Sequence, residues 1–88
     1  MGLPMTEKPY FSLCDLKPGE EAVVTKITLP NERQLHFLEL GLLPGETVRM
    51  VRRSPWGDPM VVEVLGIQLG LRASDASEIQ VALARALS

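Results

Sequence analysis

One short string, Pro-Gly-Glu, stands at 18–20 and again at 44–46, and nothing else in the chain restricts its fold as much. Proline fixes φ and glycine accepts a positive φ, so each pair turns the backbone sharply. The first copy follows "LCDLK" and precedes "EAVVTKITL"; the second follows "LELGLL" and precedes "TVRMVRR". Both therefore read as joints from a helical segment into a strand. The flanks are too unlike for an internal duplication, so the echo reflects the same local need met twice.

The same punctuation divides the rest of the chain. Ser12 is placed to cap one short turn through Leu16. Glu20 to Leu29 is rich in Val, Thr and Ile and predicts a strand that Pro30 stops. Asn31 is read as the N-cap of a helix, with Gln34 in capping-box spacing. Leu35, Leu38 and Leu42 follow at helical spacing, with Phe37 on the flank. Gly41 suits the left-handed position that ends the helix, which would let Leu42 touch Phe37 across the last turn. A helix of about ten residues is marginal alone and must be held by packing.

After the second Pro-Gly, Val48 and Met50 share one strand face, opposite Arg49, Val51 and Arg53. "PWGDP" is a loop. Met60, Val62 and Val64 alternate as a third strand, and Ile67, Leu69 and Leu71 as a fourth, with Gly66 turning between them. Ser74-Asp75 is read as the cap of a helical turn, and Ile79 to Leu83 as a closing strand. The expected class is therefore all-β. About five strands, one short α-helix between strands 1 and 2, and a helical turn near the C-terminus make a small barrel. Patterning alone leaves SH3-like and OB-like barrels open; the short hairpin in the 60s and the single helix favour an SH3-like β-barrel. The expected organisation is a leader over 1–11, the domain over 12–83 and a tail over 84–88.

Hydrophobic residues make up 45% of the 88 and charged ones 23%, which suits a folded domain over a disordered chain. The net charge of −2 argues against a dedicated nucleic-acid binder, and no nucleic-acid partner is expected. Cys14 is the single cysteine, so an intrachain disulfide is impossible and a reducing compartment is the natural setting. No signal peptide is visible and no run approaches the ~20 apolar residues that cross a bilayer. These features predict a cytoplasmic protein without direct membrane insertion.

The inventory for catalysis is thin. His36 is the single histidine and lies in the predicted helix; neither it nor Cys14 sits in a catalytic motif. "GLLPG" lacks the spacing and the Lys-Ser/Thr of a phosphate loop. No enzyme is expected. Glu32, His36 and Glu39 share a helix face and, with Cys14, are weak candidates for zinc or ferrous iron. A metal at His36 would be adventitious, and no cofactor is required. Arg49, Arg52, Arg53 and Arg72 form the basic set for an alternative reading, a small barrel that binds nucleic acid. The chain lacks exposed aromatics interleaved with them. Trp56, between Pro55 and Gly57, either anchors a partner or folds down over the open end of the barrel.

The string "LELGLLPGETVRMVRRSPWGDPMVVEVLGIQLGLRASDASEIQV" closely resembles the FeoA family, the small ferrous iron transport protein A. The residues that carry the resemblance are Leu40-Gly41-Leu42, Pro44-Gly45, Val48, Pro55, Gly57-Asp58-Pro59, Gly66, Leu69, Leu71-Arg72 and Ala76. It extends from Leu13 to about Val81. Trp56 stands where the family more often has an aliphatic residue. The resemblance implies an SH3-like barrel in the cytoplasm. It also implies a non-catalytic accessory or regulatory role by contact with the membrane ferrous iron transporter that carries a GTP-binding domain.

The contact surface expected is Leu38, Leu42, Leu43 and Pro44, joined by Trp56 and Pro59 from the second loop, and a groove between these elements would take an extended apolar segment. Gly41, Gly45, Gly57 and Gly66 would set backbone geometry, and Asp58 would bond local N–H groups. A strand edge or the helix could also form a homodimer. Nucleic-acid binding and metal-responsive sensing are the alternatives.

Overall fold

The computed structural model describes residues 11–56 and 58–85. A short 3-10 turn, Leu13–Asp15, precedes β1, Glu21–Ile27, and helix α1, Asn31–Glu39. Then come β2, Thr47–Arg53, β3, Met60–Val64, β4, Ile67–Leu71, a short helix α2, Ala73–Ala76, and β5, Ile79–Arg85. All pairings are antiparallel and the five strands lie in the order β4-β3-β2-β1-β5. The last strand runs two residues past the expected end at Leu83.

The two Pro-Gly-Glu strings occupy equivalent places at opposite ends of the β1–β2 pair. In each, the glutamate amide donates to the residue before proline: Glu20 to the Lys17 carbonyl at 3.0 Å and Glu46 to the Leu43 carbonyl at 3.1 Å. Gly19 and Gly45 have φ of 92° and 98°, the left-handed value that a type II turn needs after its proline. Each glycine amide then donates across the pair, Gly19 to Met50 and Gly45 to Val24, both at 2.8 Å. The return bonds run from Met50 to the Glu20 carbonyl and from Val24 to the Glu46 carbonyl. Two residues thus oppose one at both ends, a glycine-led bulge that twists the strands and re-aims the chain beyond it.

Helix α1 ends as expected. Leu40 is the cap, Gly41 has φ 94°, and the amides of Gly41 and Leu42 donate to Leu38 and Phe37 at 3.0 and 2.9 Å. This paired bonding satisfies carbonyls the helix would otherwise leave bare. Its start differs from expectation. Pro30 is the cap, and Asn31 is already helical. Gln34 instead donates through Nε2 to the Leu29 carbonyl at 2.6 Å. Ser12 does cap the first turn, with Asp15 returning a bond to its amide at 2.8 Å. In α2 the cap is Arg72, so Ser74-Asp75 lies inside the helix instead of before it.

The core gathers the inward faces of the strands, including Val24, Val48, Met50, Met60, Val62, Val64, Leu71 and Ile79, with Leu13 and Leu16 from the first segment. From α1 it takes Phe37, and from the turn after it Leu42. Burying a side chain as large as Phe contributes about 2–3 kcal/mol, which is what a nine-residue helix needs to stay docked. Leu35 and Leu38 are 56% and 47% exposed, so α1 turns Phe37 inward and these leucines outward. Ile67 is 55% exposed at the hairpin end, opposite Val64.

Candidate functional site

The turned-out leucines line a groove of about 340 Å³. One wall is α1, through Asn31, Gln34, Leu35 and Leu38; the other is Ile27 at the end of β1; Leu42, Leu43 and Pro44 close its end. The local sequence builds this directly. Asn31, Gln34, Leu35 and Leu38 share one face by helical spacing. Gly41 reverses the chain, so that Leu42 to Pro44 fold back against that face. The second Pro-Gly joint then hands the chain to β2.

The expected contact residues divide. Leu38, Leu43 and Pro44 line the groove. Leu42 also lines it, yet is fully buried, so it forms the floor and presents no free surface. Trp56 and Pro59 are not part of the groove lining. Trp56 is 87% exposed and does not fold over the barrel end. The expected single surface is therefore a groove plus a separate exposed loop. Asp58 Oδ1 accepts from the Ala73 amide, fifteen residues on, at 2.8 Å. Gly41, Gly45 and Gly66 all have positive φ as the turn reading requires, and Gly57 lies outside the described residues.

The other candidate clusters are dispersed. Cys14 sits in the 3-10 turn and bonds the Ala73 carbonyl through Sγ at 3.2 Å, so it does not join Glu32, His36 and Glu39 on α1. Among the described residues no group of three or more His, Cys, Asp or Glu is arranged to hold a metal ion. In the basic set, Arg49 pairs with Glu63 across β2 and β3. Arg53 donates to the carbonyls of Cys14 and Leu16. Arg52 and Arg72 are left exposed on different strands and turns.

Sequence reasoning missed Ile27, Asn31, Gln34 and Leu35 as groove residues. The sequence carried no decisive signal for them: a helix with Phe37 on one side and Leu35 and Leu38 on another can bury either, and the sheet beneath decides. Among the described residues no helix is long and apolar enough to cross a membrane.

Three comparisons bear on the site. A family model described as the FeoA domain matches residues 11–83. A relative from Porphyromonas gingivalis, an Fe(2+) transport protein A/Fe(2+) transporter FeoB fusion protein, is 30% identical over 71 residues. That match covers 81% of this chain and 8% of the fusion protein, so the chain spans a small fraction of that relative's length. The solution structure of a FeoA protein from Chlorobium tepidum is 29% identical, with a TM-score of 0.82 over 89% of this chain and 74% of that one. The crystal structure of Stenotrophomonas maltophilia FeoA complexed with zinc is described as a procaryotic SH3 domain protein. It is 35% identical, with a TM-score of 0.64 over 81% of this chain and 88% of that one. The expected SH3-like barrel stands.

Proposed function

The chain belongs to the FeoA family, and from that membership we propose that it is a non-catalytic, cytoplasmic accessory of ferrous iron transport. It acts by docking on the cytoplasmic, GTP-binding part of the membrane ferrous iron transporter. The observation that carries this reading is the groove between α1 and β1, an apolar, solvent-facing cleft flanked by two leucines that are about half exposed. Exposed large apolar side chains grouped on a groove mark interaction sites more often than isolated ones do. The fusion relative supports the choice of partner. Joining the two proteins in one chain raises the effective concentration of one for the other, which is useful only if they meet. The Stenotrophomonas protein's description as a candidate ferrous iron transport activating factor points the same way.

The test is binding of the whole chain to the cytoplasmic part of its transporter, measured by calorimetry or biolayer interferometry. Leu38→Glu places a charge in the groove at a half-exposed site and should leave the fold intact. The expected result is saturable binding that this variant loses. Binding unchanged by Leu38→Glu, with the fold confirmed by circular dichroism, would remove the groove as the docking surface.

A further inference from the structure

The two edges of the sheet are finished differently. On β5, Ser12 bridges to Gln80 and the Val81 amide donates to the Phe11 carbonyl at 2.8 Å, so the segment before β1 covers that edge. Among the described residues, β4 has backbone bonds with β3 alone. Edge strands are ordinarily guarded by a charge, a proline or a bulge, because their free N–H and C=O groups pair readily with another strand. β4 reads Ile-Gln-Leu-Gly-Leu and has none of these guards: no charged residue, no proline, and a register with β3 that runs without a shift.

The hairpin decides which groups are free. Leu65 and Gly66 have φ of 53° and 79°, both positive, as in a type I′ two-residue turn. Such a turn makes its flanking residues, Val64 and Ile67, a mutually bonded pair. Alternation then sends the amides and carbonyls of Ile67, Leu69 and Leu71 to β3, and those of Gln68 and Gly70 outward. Gln68 and Gly70 are both exposed. Gly70 is also unexplained from within the chain. Its φ is not left-handed, and a Cβ built there would meet nothing within 4 Å. Glycine weakens a strand interior and marks a bulge, a bend or a close approach by another backbone. The unshifted register excludes a bulge, and the open edge offers the approach.

We propose that β4 pairs with β4 of a second copy of this chain, antiparallel about a two-fold axis at Leu69. The strand's own sequence selects a second copy over a foreign strand. About this axis, Gln68 of each copy faces Gly70 of the other. These are the residues whose groups point outward, so each such pair exchanges both of its N–H···O bonds and no outward group is left over. Ile67 faces Leu71 and Leu69 faces its own copy, apolar against apolar at the closer, non-bonded positions. No charge meets a like charge. The Gln68 side chain lies across the bare backbone of the opposing Gly70, and Ile67, 55% exposed in the single chain, gains an apolar neighbour. A five-residue pairing buries less than the ~1,200 Å² of a standard interface, so association is weak and concentration-dependent. The proposal does not rest on the docking reading: the groove lies at β1, with β2 and β3 between it and β4.

The test is sedimentation equilibrium of the full chain over a dilution series reaching about 1 mM, with amide exchange at Gln68 and Gly70 followed by NMR. A monomer–dimer equilibrium is expected, with exchange at these two amides slowed about twofold or more at the highest concentration. Two double variants test the register, both at exposed positions and both checked for fold by circular dichroism. Gln68→Lys with Gly70→Lys sets lysine opposite lysine in each pair and should abolish the dimer. Gln68→Lys with Gly70→Glu sets lysine opposite glutamate and should restore it. A chain that stays monomeric throughout, a dimer whose Gln68 and Gly70 amides exchange as fast as the monomer's, or a double-lysine variant that dimerises like the native chain would each overturn the proposal. Protection of these amides that appears only on adding the transporter's cytoplasmic part would overturn it too, by showing a foreign strand at this edge.

Discussion

The Gly45 amide donates to the Val24 carbonyl at 2.8 Å, and that bond fixes where the turn after α1 meets β1. Gly45 has φ 98°, and a Cβ added there would meet nothing within 4 Å. Substitution by alanine therefore meets backbone strain alone. Gly45→Ala should lower stability by about 1–2 kcal/mol, the cost of a left-handed L-residue. Gly19→Ala, in the equivalent turn with φ 92°, carries the same strain and should fall in the same range. Urea denaturation of the two variants is the check; a neutral result at either would mean that the turn relaxes to another geometry.

Leu65 and Gly66 form the two-residue turn between β3 and β4, with Val64 opposite Ile67. Leu65 has φ 53°, an unfavourable value for a branched aliphatic side chain, and is 64% exposed. Asn-Gly is the preferred pair for such a hairpin. Leu65→Asn should raise stability by about 0.5–1 kcal/mol through relief of backbone strain, read as an increase in Tm.

The same leucine also reaches the turn after α1. A Cβ built on Gly41 would lie 2.7 Å from Leu65 Cδ1, closer than carbon atoms tolerate. Gly41→Ala therefore combines strain at φ 94° with a collision against a side chain that can move. It should cost about 1–2 kcal/mol, most of it backbone strain. Repeating it in the Leu65→Asn background removes the collision, so the penalty should shrink by a few tenths of a kcal/mol, a coupling that a double-mutant cycle reads.

What the sequence disclosed about this fold is uneven, for physical reasons. The Pro-Gly joints, the helix-ending Gly41 and the alternation of Met60, Val62 and Val64 are local constraints, and each is met in the structure. The facing of α1 is not local. A nine-residue helix with leucines on one side and Phe37 on the other can bury either side, and the sheet beneath decides. One end of the groove was legible, because Leu38, Leu42, Leu43 and Pro44 surround the Gly41 turn in the sequence; its walls at Ile27, Asn31, Gln34 and Leu35 were not, because they depend on which side of α1 the sheet covers. Loop positions were least legible. Trp56 and Pro59 stand outside the groove that Leu38 lines, and Asp58 found its amide at Ala73.

Arg53 illustrates a long-range contact of this kind, and it carries a further prediction. Its guanidinium donates to the carbonyls of Cys14 and Leu16, the latter at 2.8 Å, tying the first turn to β2. Hydrogen bonds from a charged donor contribute about 1.5–3 kcal/mol where both groups are withdrawn from water. Arg53 is only half-buried, so Arg53→Ala should cost about 1–2 kcal/mol. Arg53→Lys keeps the charge but not the reach and planar geometry of the guanidinium, whose Nη2 serves both carbonyls, and should recover part of the loss. Amide exchange at Leu13 to Leu16 should quicken in both variants, and most in the alanine one.

Trp56 provides the clearest optical test of how the two exposed regions divide the work. It is the single tryptophan, 87% exposed, and outside the groove lining. Its emission in the native protein should resemble that of indole in water and should be quenched readily by iodide. Unfolding in urea should therefore change it little. Filling the groove leaves Trp56 in water, so addition of the transporter's cytoplasmic part should leave emission in place while the Leu38 amide shifts. Trp56→Ser should keep both stability and groove binding within experimental error, whereas Leu38→Glu loses binding. A blue shift of Trp56 emission on complex formation would show that the second loop joins the contact, and Trp56→Ser should then weaken it several-fold, as expected for an aromatic anchor.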